Sequence, residues 1–149
     1  MTLLADFESQ RVLNHIRSSG LLTSFTDYQG NTQGATLSAS GMVDLTELPS
    51  NERLLQVRLS GNDQVADGSV NFSQYPVSVY IFGKTNLDDA SIVNGLTDDI
   101  RNWLRKNFKS DDECIMAIQV LGKGGPYPMD DSRPYCEIPL IVKFNENND

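Results

Sequence analysis

The run Val77-Ser-Val-Tyr-Ile-Phe82 limits the possible folds more than any other stretch of this 149-residue chain. Its β-branched and aromatic residues suit a pleated surface, and Pro76 stands at its head, where a missing N–H costs least. Val77, Val79 and Ile81 fall on one face, and Ser78, Tyr80 and Phe82 on the other. Because both faces are mostly apolar, the run is expected to lie centrally in a sheet. The length suits one domain with one core. Apolar residues at 39% against charged residues at 21% leave enough to bury, which excludes global disorder.

Two helices and further strands can be read around this run. Across residues 3–19 no Pro or Gly interrupts, and Ala5, Ser9, Val12, Leu13 and Ile16 recur at helical spacing until Ser18-Ser19-Gly20 ends the helix. Leu3, Leu4 and Phe7 lie off that stripe; they either close the end of the core or form a contact patch for a partner. Residues 23–50 are polar, with a weak strand-like alternation of Leu37, Ala39, Gly41, Val43 and Leu45. Residues 54–60 form a clearer, half-buried strand, because Leu55, Val57 and Leu59 alternate with Gln56, Arg58 and Ser60.

Residues 86–89 offer caps and acids for a second helix, while Arg101, Arg105, Lys106 and Lys109 place cations toward its end, as the helix dipole favours. Its buried stripe is Val93, Leu96, Ile100, Trp103 and Leu104, with Trp103 expected against strand residues such as Val79 and Ile118. Residues 114–121 and 135–144 are the last two strands, Pro139 favouring an edge position or a bulge, and 145–149 is a mobile polar tail. This order predicts a single α+β domain over 1–149. Its sheet is mixed or mainly antiparallel, of four to five strands, with two helices packed on one face.

Twenty Asp and Glu against twelve Lys and Arg give a net charge of −8, and no cluster of basic residues is present to neutralise phosphates. Nucleic acid is therefore not expected as a ligand. The N-terminus turns acidic where a secretory signal stays apolar, and no apolar run reaches membrane-spanning length, so a soluble protein made in the cytoplasm is expected. Cys114 and Cys136 are too few for a disulfide framework or a four-thiolate zinc site and read as reduced core thiols. His15, the single histidine, carries no Cys-His or Ser-His-Asp signature and reads as a helix-surface or boundary residue.

Gly122-Lys-Gly-Gly lacks the Ser or Thr, and the helix, that follow a P-loop lysine. Asp88-Asp89, Asp98-Asp99 and Asp130-Asp131 could be catalytic carboxylates. Adjacent residues diverge by about 100° on a helix, however, and each pair has a plainer role as cap, solvated face or loop. Ser110-Asp-Asp-Glu is a solvated turn without a calcium loop's spacing. The expectation is no enzyme, no cofactor and no metal. Two long connections stand out instead, 61–75 and 122–134. They combine glycine with residues common in interface cores, and Phe72, Tyr75, Lys123, Tyr127, Met129 and Arg133 are the docking candidates. Leu3, Leu4 and Phe7 are secondary candidates.

An N-terminal helix comes first, then Leu54-Leu-Gln-Val-Arg-Leu-Ser-Gly, then Tyr75-Pro-Val-Ser-Val-Tyr-Ile-Phe-Gly. A helix around Asp98-Asp-Ile-Arg-Asn-Trp-Leu follows, and the hairpin Gly124-Gly-Pro-Tyr-Pro-Met-Asp-Asp-Ser-Arg-Pro-Tyr leads into a last strand. This series resembles the tail-terminator and minor tail proteins of long-tailed bacteriophages, by motif over residues 50–145 and by element order over the whole chain, with residues 23–50 matching least. The resemblance implies a virion protein that forms a hexameric ring, caps the tail tube, ends its polymerisation and offers the surface for head–tail joining. The implied partners are further copies of the chain, the major tail tube protein and head–tail connector proteins, with no membrane contact. DNA would pass through such a ring without specific binding, and an acidic chain suits that role because it does not grip phosphate. Other expectations are another head–tail connector or minor capsid subunit, or a monomeric, non-catalytic ligand-binding or regulatory α+β domain.

Overall fold

A computed structural model describes residues 4–23, 25–26, 32–33, 48–60 and 72–145. The elements run α1 (Leu4–Arg17), β1 (Phe25–Thr26), β2 (Thr32–Gln33), β3 (Leu54–Leu59), β4 (Phe72–Phe82), a 3-10 turn (Leu87–Asp89), α2 (Ala90–Lys106), β5 (Ile115–Val120), β6 (Gly124–Pro128) and β7 (Pro134–Asn145). β1 and β2 pair with each other. The other five strands form one antiparallel sheet in the order β3-β4-β7-β5, with β6 also paired to β7. With the two helices packed against the sheet, the fold is α+β, as the sequence predicts.

β4 is central, held by β3 on one edge and β7 on the other. It begins earlier than its apolar run suggests, because Phe72 to Pro76 pair with the C-terminal half of β7. Pro76 therefore sits inside the strand and not at its head. Its carbonyl accepts the Ser60 N–H just past the end of β3, and the proline forgoes only the reciprocal bond to Ser60, at the last rung of that ladder. Pro139 also departs from expectation, since β7 is interior and not an edge. It lies between the stretch of β7 that pairs with β6 (Pro134 to Glu137) and the stretch that pairs with β5 (Leu140 to Phe144). The missing N–H thus meets a break between two neighbours.

Both helices lie on one face. Val12, Leu13 and Ile16 of α1 and Val93, Leu96, Ile100 and Leu104 of α2 join Val57, Val79, Ile81, Ile138, Val142 and Phe144 in a single buried cluster. α1 packs on β3 and α2 on β7 and β5. Trp103 only flanks this cluster; its ring instead lies 4.7 Å from that of His15. His15 is buried, not superficial, and its Nε2 lies 2.7 Å from the Asn107 carbonyl just past the end of α2. A helix leaves its last carbonyls without internal partners, and the α1 imidazole satisfies one of them.

Other boundaries move as well. Leu54 and Gln56 are 1% and 0% exposed, so β3 is shielded on both faces at its start and is not the half-buried strand that its alternation implies. Cys136 is fully buried, whereas Cys114 is half-buried in the turn before β5, and both are free thiols. Asn145 belongs to β7 and not to a tail. The weak strand expected near residues 37–45 lies outside the described residues.

Candidate docking face

Among the described residues, the second face of the sheet carries an extended aromatic array. Period-2 alternation puts Arg58, Tyr80, Phe82 and Tyr135 there, opposite the residues that meet the helices. The Arg58 guanidinium lies 5.7 Å over the Tyr80 ring. Tyr80 stacks on Phe82 at 6.0 Å, Phe82 meets Tyr135 at 5.8 Å, and Tyr135 meets Tyr127 at 5.5 Å. These separations are favourable for aromatic pairs. Tyr80, Phe82 and Tyr135 floor a shallow, open groove of about 380 Å³, walled at one end by the β6–β7 turn with Pro128, Met129 and Asp130, and Tyr127 stands beside it against Tyr135.

The hairpin that forms this wall is built and anchored locally. Gly125 has φ +96°, and a Cβ there would lie 2.6 Å from the Tyr135 carbonyl oxygen, so only glycine lets β6 approach β7 this closely. In the turn, the Ser132 N–H donates to Met129, the Met129 N–H donates to the Arg133 carbonyl, and Asp131 accepts the Arg133 N–H at 3.1 Å. The segment expected to be a long loop is thus a paired strand and a closed turn.

Lys123 and Arg133 anchor the two ends of the hairpin, and neither is the exposed docking residue that the sequence suggests. Lys123 Nζ donates to Asn94 and, at 2.9 Å, to Asp98, tying the start of the hairpin to α2. Arg133 is 1% exposed. Its Nη1 donates to the carbonyls of Glu52 (2.8 Å) and Gly83, and its Nη2 to those of Leu48 and Pro49. A buried arginine held this way fixes three separate stretches of backbone to one another.

Beside it lies a second buried charge. Arg53 grips Asp89 bidentately through one guanidinium edge, Nε to Oδ2 at 2.9 Å and Nη2 to Oδ1 at 2.7 Å, and the Lys84 N–H donates to Oδ2 as well. Asp89 stands at the N-cap position of α2, but its carboxylate makes no cap hydrogen bond and serves the ion pair; the side-chain cap comes one turn earlier, where Asn86 accepts the Asp88 N–H at the start of the 3-10 turn. Gly83 runs so close to this pair that a Cβ would stand 2.7 Å from both Asp89 Oδ2 and Val93 Cγ2.

The remaining candidates divide. Tyr127 is 49% exposed and Met129 half-buried at the groove. Tyr75 is not in a loop: it belongs to β4, flanks the core and meets Phe144 edge-on at 5.8 Å. Phe72 is likewise in β4, where only its backbone is described. Leu3 lies outside the described residues, and Leu4 and Phe7 are described as helix backbone alone. The structure therefore brings together two of the six primary candidates and adds four that the sequence reading did not single out: Arg58, Tyr80, Phe82 and Tyr135. Their signal was the Tyr-x-Phe spacing in β4, which places two rings on the face away from the helices.

Asp98 lies between Lys123 and Arg101, and burial, followed by the Asp98 charge, pushes the Asp99 carboxyl up from its ordinary value. Burial also pushes the Cys136 thiol up, against a Thr97 hydrogen bond and the Lys123 charge that lower it. Among the described residues no group of three or more His, Cys, Asp or Glu is gathered to hold a metal ion, and no helix is long and apolar enough to cross a membrane. No protein-family model matches the chain, and no curated protein matches it.

Proposed function

We propose that the protein is a non-catalytic structural subunit that works by docking, in the manner of the phage tail terminators whose motif order it resembles. The observation that carries this reading is the aromatic groove with exposed Tyr127, presented by a hairpin anchored at Lys123 and Arg133. A surface already held in shape loses little conformational freedom on association, so more of its contact energy appears as affinity. Tyrosine and arginine are also the residues that most often dominate interface energies. The resemblance adds the assembly: a hexameric ring at the head-proximal end of the tail, contacting the tail tube protein below and head–tail connector proteins above.

Light scattering over a range of concentration and salt, with negative-stain microscopy, tests the reading. A ring of identical copies, and arrest of tail-tube growth on its addition, are the expected results. A chain that stays monomeric throughout and leaves tube growth unaffected overturns it. Such a result would favour the monomeric ligand-binding domain, for which the groove volume lies within the range of small-molecule sites.

A further inference from the structure

We propose that the aromatic face pairs with the same face of a second copy of this chain across a twofold axis. An isologous contact requires a surface complementary to itself: whatever stands at one end must suit what stands at the other. The groove meets that requirement in charge. Arg58 lies at the Tyr80 end, opposite Ser78 in the ladder, and Asp130 lies in the turn beyond the Pro128–Pro134 pair at the other end. Among the described residues neither forms an ion pair. Between them lie the half-buried rings of Tyr80 and Tyr135, with buried Phe82 in contact with both.

Rotation by 180° about the middle of the groove brings each Arg58 toward the other copy's Asp130 and turns the half-buried Tyr80 and Tyr135 rings toward those of the other copy. Of the neighbouring acids, Asp131 lies 3.6 Å from Arg133 Nε, while Glu137 accepts the Ser78 hydroxyl at 2.7 Å and keeps its charge. For a chain of net charge −8, copies repel in most orientations, and a face that offers an unpaired cation to the other copy's anion is where they can approach. An apolar centre with charges at its rim is also the usual anatomy of an interface. The pairing goes beyond the ring reading and does not depend on it, because a head-to-tail ring joins two different surfaces.

Sedimentation equilibrium of the full chain, from about 1 µM to about 1 mM, tests the pairing. The expected result is a monomer–dimer equilibrium that Arg58→Asp alone and Asp130→Arg alone each weaken by about tenfold or more, equivalent to about 1.4 kcal/mol. The double variant Arg58→Asp/Asp130→Arg, and an equimolar mixture of the two single variants, restore it, since both then match unlike charges again. Both positions are exposed, and native circular dichroism is the control that folding persists. A monomer at the highest concentration, or a dimer indifferent to all these changes, overturns the pairing. A ring mass that ignores the charge swaps overturns the pairing and leaves the ring reading standing; a charge-sensitive dimer with no ring does the reverse.

Discussion

Arg133 donates to carbonyls that the ladders leave without partners, Glu52 before β3 and Gly83 after β4. Truncation to Ala strands buried acceptors, and Arg133→Ala is expected to cost about 3 kcal/mol or more, read as a lower urea midpoint. A loss below about 1 kcal/mol would contradict the clamp. Tyr127, with its exposed ring, is the better probe of docking, since Tyr127→Ala is expected to change stability by no more than about 1 kcal/mol. The two cysteines separate by burial: Cys114 is expected to react with a thiol reagent in the native protein, and Cys136 only after unfolding, because burial keeps it protonated and covered. The raised carboxyl of Asp99 has the opposite sign from a salt-bridged acid. Its folded form binds its proton more readily than its unfolded form, so ionised Asp99 lowers stability above the folded pKa, and the loss disappears as pH falls toward the unfolded value. Asp99→Asn is therefore expected to raise the melting temperature near neutral pH, by an amount that shrinks with acidification; a pH-independent gap would contradict this.

At the scale of elements, each helix was legible in its stripe, but the contact between the helices was not. Val12, Leu13 and Ile16, or Val93, Leu96 and Ile100, declare a buried side by their spacing. Nothing in local spacing says that His15 of α1 will reach the carbonyl of Asn107 or lie on Trp103. A double-mutant cycle with His15→Ala and Trp103→Ala is expected to show coupling of about 0.5 to 1.5 kcal/mol, and additive effects would deny the contact. The prolines teach the same lesson from the other side. Pro76 and Pro139 forbid a ladder bond on one edge only, and whether that edge is occupied depends on where β3 ends and where β5 and β6 meet along β7.

For the whole molecule, α1, α2 and the four strands β3, β4, β5 and β7 share one buried cluster, which predicts a single cooperative transition. Trp103 fluorescence and far-ultraviolet circular dichroism are expected to give coincident denaturation curves; separated midpoints would show that a helix leaves the sheet independently. The α+β class, the two helices and the central place of β4 could be read in the chain, because apolar periodicity and the residues that break it act within a few positions of one another. The docking face could be read only in part. Tyr127 and Met129 stand out by type and by their glycine-rich surroundings; Met129 lines the groove and Tyr127 meets Tyr135 beside it. Arg58, Tyr80, Phe82 and Tyr135 come from three strands, and β3–β4–β7 register is what aligns them. Arg133 carries the same guanidinium whether it anchors a partner or clamps its own backbone. Its role follows from which carbonyls the folded chain leaves unpaired around it, a long-range outcome that no local spacing encodes.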